Sequence, residues 1–223
     1  MAAAPLPETL KSALAEDKAR AVALCPDVSR ETWARLDRFI DRLLSAQQTM
    51  NLIAASTVAR LWTRHVADSL QLLALAPDAR RWVDLGSGAG FPGLAIACAL
   101  ADTADTAVHL VDSTKKKAAF LADTAAALKL PVTVHPDRIE DFAAANRLSF
   151  DVVTARAVAP LGKLLGYVNP LLKKDAVGLF HKGQDVEAEL TAASKYWTIA
   201  ADLIPSLTDP RGRIVRVRRA VKR

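Results

Sequence analysis

Arg81-Trp82-Val83-Asp84-Leu85-Gly86-Ser87-Gly88-Ala89-Gly90-Phe91-Pro92-Gly93 is the stretch that decides the fold of this chain. Its first five residues, apolar at Trp82, Val83 and Leu85, predict a short strand. Glycines at 86, 88 and 90 then predict a sharp turn whose backbone comes close to a ligand, because no Cβ intervenes. The apolar run from Pro92 to Ala101 predicts a helix directly after the turn. Strand, glycine turn and helix in that order open a sheet-and-helix unit, and such sheets bind ligands beyond the carboxyl ends of their strands.

The same alternation continues downstream. Strands are predicted at 107–112, 132–135, 150–154 and 176–181, and helices at 113–128, 160–172 and 186–196. Two more extended runs, 197–204 and 213–217, are joined by a turn through Asp209-Pro210-Arg211-Gly212. This is an α/β pattern: a Rossmann-like, mostly parallel sheet with helices on both faces and an antiparallel pair at its edge.

Upstream, residues 1 to about 80 read as wholly helical. Trp33, Leu36, Ile40, Leu43 and Leu44 recur at helical spacing behind a Ser29 N-cap. A second helix, 56–75, carries Leu61, Trp62, Val66, Leu70 and Leu73 and is stopped by Pro77. The chain therefore divides into an N-terminal helical extension, 1–80, and a Rossmann-like domain, 81–223.

Composition narrows the setting. A formal charge of +6 favours phosphate-rich partners, although charge alone is a weak sign. Cys25 and Cys98 lie far apart and give no disulfide framework, so a reducing cytoplasm is the default. Met1-Ala2-Ala3-Ala4-Pro5 shows no basic region followed by an apolar run, so no signal peptide is read. The longest apolar stretch, 94–101, falls far short of the roughly 20 residues that span a bilayer, so no membrane partner is expected. His65, His109, His135 and His181 are scattered, with no spacing that suggests zinc, and no metal is expected.

The glycine turn leaves two cofactors in contention. Gly88-x-Gly90-x-x-Gly93 also fits a dinucleotide fingerprint and keeps a nicotinamide or flavin enzyme open. Asp84 argues the other way, because a carboxylate before the turn repels a pyrophosphate and suits a cation. S-adenosylmethionine carries a sulfonium and an ammonium and no phosphate, so it is the expected cofactor. Asp112, ending the second strand, is placed to accept hydrogen bonds from ribose hydroxyls, which either cofactor offers; the plainer alternative is an N-cap for the following helix.

Three further elements carry a resemblance: Asn51-Leu52-Ile53, then Trp62-x-Arg64-His65-x-x-Asp68-Ser69-Leu70, then Val83 to Gly93. With Val111-Asp112-Ser113, Lys116-Lys117, Phe120-Leu121, Arg138-Ile139-Glu140 and Thr154-Ala155-Arg156-Ala157-Val158-Ala159, the chain from about residue 30 onward is similar to the bacterial glucose-inhibited division protein B family. The Arg-His-x-x-Asp-Ser element separates this family from other methyltransferases that share only the glycine turn. The resemblance implies a class I S-adenosylmethionine-dependent methyltransferase fold with a seven-stranded sheet. It implies guanine-N7 methylation of small-subunit (16S) ribosomal RNA, at guanine 527 in the family. It carries cofactor contacts onto Gly86, Phe91, Ile139, Glu140 and Arg156, to which the reading of the turn adds Gly88 and Asp112. Two positions depart from the family's habit: Ile53 stands where a Thr is frequent, and the fifth strand ends Leu179-Phe180-His181-Lys182-Gly183.

Guanine N7 holds an available lone pair, so the reaction needs no general base and no catalytic residue is named. His65 and Asp68 share a helix face, either to clamp the base or to make a structural hydrogen bond. RNA contact is expected from Arg60, Arg64, Arg156, Lys163 and Lys182. The C-terminal Arg211, Arg213, Arg216, Arg218, Arg219, Lys222 and Arg223 either join them or keep an edge strand solvated. The partner is the 16S rRNA or the small subunit that contains it, and a monomer with an isolated helical arm is expected. An oxidoreductase and a ribosome-assembly factor without chemistry are the competing functions.

Overall fold

The computed structural model describes residues 6–172 and 176–223; Met1–Pro5, where a leader was sought, fall outside them. Seven strands form one sheet: β1 (Arg81–Leu85), β2 (Ala107–Val111), β3 (Val132–His135), β4 (Val152–Arg156), β5 (Val177–Lys182), β6 (Trp197–Pro205) and β7 (Arg213–Lys222). Their order is β3-β2-β1-β4-β5-β7-β6, parallel through β5, with β7 antiparallel to both β5 and β6. The chain runs outward from β1 to β3 and then returns to place β4 on the other side of β1. That reversal opens a crevice beyond the strand ends, directly over the glycine turn.

Alternation along β1 sets the two layers. Val83 and Leu85 face a core built with α6 (Ile139–Ala145), α7 (Leu161–Val168) and α8 (Val186–Ser194). Trp82 faces the opposite core, built with α4 (Gly93–Leu100), α5 (Lys115–Leu128) and the N-terminal helices α1 (Glu8–Leu24), α2 (Arg30–Gln47) and α3 (Asp68–Leu75). Leu36, Phe39 and Leu43 of α2 share that core with Trp82, Leu94 and Leu121, so the helices form a layer of the molecule rather than an isolated arm. Ser29 caps α2 as expected, its hydroxyl accepting from the Thr32 amide at 3.1 Å.

Three expectations need correction. Residues 1 to 80 are not wholly helical: Asn51-Leu52-Ile53 is a loop, clasped by Gln47, whose Oε1 accepts from the Leu52 and Ile53 amides at 2.9 and 3.0 Å. The single helix expected at 56–75 is a 3-10 turn (Ala55–Arg60), a π-helical stretch (Trp62–Ala67) and α3. Buried Asp17 of α1 ties the start of the π-helical stretch, taking the Thr63 amide at 3.0 Å and its hydroxyl at 2.7 Å. Strand β7 lies inside the sheet between β5 and β6, so it is β6 that forms the edge.

Candidate functional site

The turn after β1 is tied to the end of β2. The Gly86 and Ser87 amides both donate to the Val111 carbonyl, at 2.8 and 3.0 Å. Gly86, Gly88 and Gly90 all have positive φ, and a Cβ on Gly86 would come within 2.8 Å of Val158. Asp112 then locks the turn: its Oδ2 accepts from the Gly88 amide at 2.9 Å and its Oδ1 from the Thr114 amide at 2.8 Å. The second bond is an Asx-type turn ahead of α5, whose N-cap is Thr114, so the N-cap expected of Asp112 falls two residues later.

Gly86, Asp112, Ile139, Glu140 and Val158 line one crevice. Ile139 and Glu140 sit in the first turn of α6, a seven-residue helix too short to betray itself by periodicity. Phe91 is buried under the turn, its ring stacked on His65 at 5.1 Å and lying 5.4 Å from the Arg156 guanidinium. The most voluminous hollow shown, about 850 Å³, lies elsewhere, between α7 and α8. It is mostly apolar, whereas polar groups converge on the crevice over the turn.

Asp84 does not face that crevice. Its carboxylate is buried on the α4 side of the sheet, accepting from the Gly93 amide at 3.1 Å and the Thr154 hydroxyl at 2.9 Å. Burial raises its pKa to about 6, against the lowering pull of those hydrogen bonds. Its work is to fasten the start of α4 to β1 and β4, so it does not choose between a sulfonium and a pyrophosphate in the crevice.

A second cavity adjoins the first, and Val158 lines both. Its centre is Asp68, 2% exposed. Asp68 Oδ1 accepts from Gln71 Nε2 and Thr208 Oγ1, both at 2.8 Å. Oδ2 accepts no hydrogen bond, yet lies 3.6 Å from Arg64, 3.6 Å from Arg156 and 3.5 Å from His181. His181 Nε2 donates to the Asp68 carbonyl at 2.8 Å, which leaves Nδ1 as the bare acceptor. Burial lowers the pKa of His181, and burial assisted by Arg156 and Arg64 lowers that of His65 to about 3. Both rings are therefore neutral at physiological pH. The His65 ring bonds Thr57 at 3.0 Å and stacks on Phe91; it makes no bond to the Asp68 carboxylate, so the two side chains do not act as a pair.

The sequence signalled Arg64, Asp68 and Arg156 but not their meeting with His181, Ser206, Thr208 and Asp209. Ala157, after Arg156, has φ +56, a strained value for a side chain that turns the loop along the cavity wall. The histidines are less scattered than they read: His181 lines this cavity, His65 stacks on Phe91, and His109 Nδ1 meets His135 Nε2 at 2.9 Å. Among the described residues no His, Cys, Asp and Glu group of three or more is placed to hold a metal, and no helix is long and apolar enough to cross a membrane.

The other basic candidates divide. Arg213 and Lys182 line the second cavity, Lys182 bonded to Glu189 at 2.8 Å. Lys163 and Lys222 lie by the apolar hollow, and Arg216 and Arg218 both grip Asp202 at 2.8 Å.

A seven-stranded sheet with this order, a glycine turn at its reversal and two joined cavities above it define the class I methyltransferase fold. An O-methyltransferase, TomG of Streptomyces achromogenes, solved with S-adenosylmethionine, superposes with a TM-score of 0.56 at 16% identity, covering 80% of this chain and 88% of that one. The chain belongs to the rRNA small subunit methyltransferase G family, which matches residues 32–211. The ribosomal RNA small subunit methyltransferase G of Nitrobacter hamburgensis is 54% identical over 94% of this chain and 80% of its own. That of Rhodopseudomonas palustris is 51% identical over 100% of this chain and 93% of its own.

Proposed function

We propose that the protein transfers a methyl group from S-adenosylmethionine to N7 of one guanine in small-subunit rRNA, at the position numbered 527 in the family. The observation that carries this reading is the pair of cavities meeting at Val158: one for the donor, one for the acceptor base. The donor crevice fits a nucleoside. Gly86 leaves open the space that a Cβ would fill, Asp112 offers carboxylate oxygens to hydroxyls, and Ile139 offers an apolar wall. Gly88 holds Asp112, Glu140 stands beside Ile139, and Phe91 backs the turn. Arg156, carried over as a cofactor contact, lines the neighbouring cavity and not this crevice.

S-adenosylmethionine, held over Gly86 by Asp112 and Ile139, would supply an electrophilic methyl, and guanine N7 carries no proton to remove. The chain's task is orientation. Asp68 holds Arg64 and Arg156 in place, and with them the β6–β7 turn through Thr208. Segment 1–80 supplies Arg64 and Asp68, and segment 81–223 supplies the rest of the cavity. We take the protein to act as a cytoplasmic monomer; its free, buried cysteines suit a reducing compartment, and size-exclusion chromatography tests the oligomeric state. The test of function is labelled methyl transfer to small subunits that lack the modification. Label at a guanine, released as 7-methylguanine, is expected, and an unlabelled rRNA sinks the reading.

A further inference from the structure

Next to the acceptor cavity, and sharing Asp209 with it, runs a groove of about 750 Å³ between α1, the 3-10 turn and the β6–β7 turn. Its charges are sorted by depth. Arg20 and Arg211 keep 61% and 73% of their side-chain surface exposed, whereas the acids beside them, Asp17 and Asp209, keep only 1% and 20%. Arg60 is exposed and pairs with no acid among the described residues. Asp17 is also spent internally, accepting from the amide and hydroxyl of Thr63. The groove therefore shows a positive face to solvent although its residues include two carboxylates. Two exposed leucines, Leu24 and Leu207, stand on its walls as flat apolar surface. Gly212 keeps the shared wall thin: a Cβ there would lie 3.1 Å from Ser206 and 3.2 Å from the Asp209 carbonyl.

We propose that this groove holds the single-stranded RNA flanking the target nucleotide, with Arg20, Arg60 and Arg211 on its phosphates. The inference rests on the RNA-methylation reading above and adds to it the path of the strand. An unpaired segment is what the geometry accepts, since a base must leave its stack to enter the adjoining cavity. Arg20 and Arg211 approach their acids only to 3.5 and 3.6 Å, whereas Arg35 pairs with Asp102 at 2.5 Å and Arg216 and Arg218 pair with Asp202 at 2.8 Å.

The test compares two triple variants of equal charge on unmodified small subunits. Arg20→Gln, Arg60→Gln and Arg211→Gln together remove the groove's charge; Arg219→Gln, Lys222→Gln and Arg223→Gln remove as much from the opposite end of β7. The groove variant is expected to raise KM about tenfold or more while kcat stays within about twofold, a loss of uniform binding. Its salt dependence should flatten by about 2 units in log kcat/KM against log salt, at about 0.7 per single-strand phosphate. S-adenosylmethionine affinity, measured by calorimetry, and melting temperature should match wild type, and Arg→Lys replacements should recover most of the KM. Equal effects from both triples, or none from the groove triple, overturn the proposal while leaving the methyltransferase reading intact. Wild-type protein that never labels rRNA defeats that reading instead.

Discussion

The two cavities over the sheet are built on different principles. The donor crevice is made largely of backbone: a glycine turn hung from Val111, one carboxylate bonded to two amides, and the first turn of a short helix. The acceptor cavity is made of side chains, which α3, β4, β5 and the β6–β7 turn bring to one buried carboxylate. A backbone site is set by local conformation and tolerates most side-chain changes outside its glycines. A side-chain site with one hub fails when the hub is lost.

Asp68→Ala therefore has the largest expected effect. It strands Arg156, whose side chain is 17% exposed and whose pKa desolvation already lowers, and frees the β6–β7 turn. Loss of a buried partner of this kind costs about 3 kcal/mol. Methyl transfer should fall at least about 100-fold, because Arg64 and Arg156 lose the carboxylate that positions them over the cavity. Urea melts and turnover on unmodified subunits check both figures, and calorimetry should find cofactor affinity nearly unchanged. If cofactor binding collapses in step with turnover, the two cavities are not separable.

The converse change is Gly86→Ala. Its φ of +70 is a conformation that costs an L-residue about 1–2 kcal/mol, before the 2.8 Å approach to Val158 is counted. Relief of that contact shifts the turn and Val158, both of which line the crevice, so S-adenosylmethionine affinity should weaken about tenfold, a loss of about 1.4 kcal/mol of binding. Subunit binding in a filter assay should remain, and an unchanged cofactor Kd would remove Gly86 from the donor site.

This contrast also explains what could be read from sequence. The donor half was legible because its parts are local: Gly86, Gly88 and Gly90 are nearly adjacent, and Asp112 ends a strand whose apolar residues announce it. Asp84 was misread from the same stretch, because spacing places it in the strand without telling which sheet face it meets. The acceptor half was legible only as fragments. Asp68 and Thr208 are 140 residues apart, and no periodicity links them. His181 stood out as a departure from the family's habit, yet its role appears only where β5 passes α3.

Lowering the pH loads the buried titratable groups around the sheet in opposite directions. His65 and His181 have folded pKa values below the ordinary 6.5, so from about pH 6.5 downward the unfolded chain takes protons that the folded chain resists, and stability is lost. Asp84 has a folded pKa of about 6, above its ordinary 3.8, so between those values the folded chain binds the proton and gains stability as pH falls. His109 and His135 are lowered too, so four imidazoles oppose one carboxyl. The urea midpoint should drop between pH 7.5 and 5.0. His65→Phe, which keeps the stack on Phe91, should shrink that drop; a midpoint equally acid-sensitive in the variant would show that His65 is not its source.

The smallest effect is expected where sequence reading placed RNA contacts that the register moves away. Arg213 pairs with Lys182 at the carboxyl end of β5, on the crevice side, whereas Val217 pairs with Gly178 near the opposite end. Arg218 therefore lies toward the floor of the sheet, its guanidinium held 2.8 Å from Asp202. An exposed ion pair of this sort is screened by water and salt and contributes little. Arg218→Gln should leave kcat/KM on unmodified subunits within about twofold, since it touches neither cavity. Arg213→Gln, only five residues earlier, should weaken it more, because that side chain lines the acceptor cavity. Were the two variants equally impaired, RNA would have to reach the floor of the sheet, and the division between a reactive rim and a structural base would be lost.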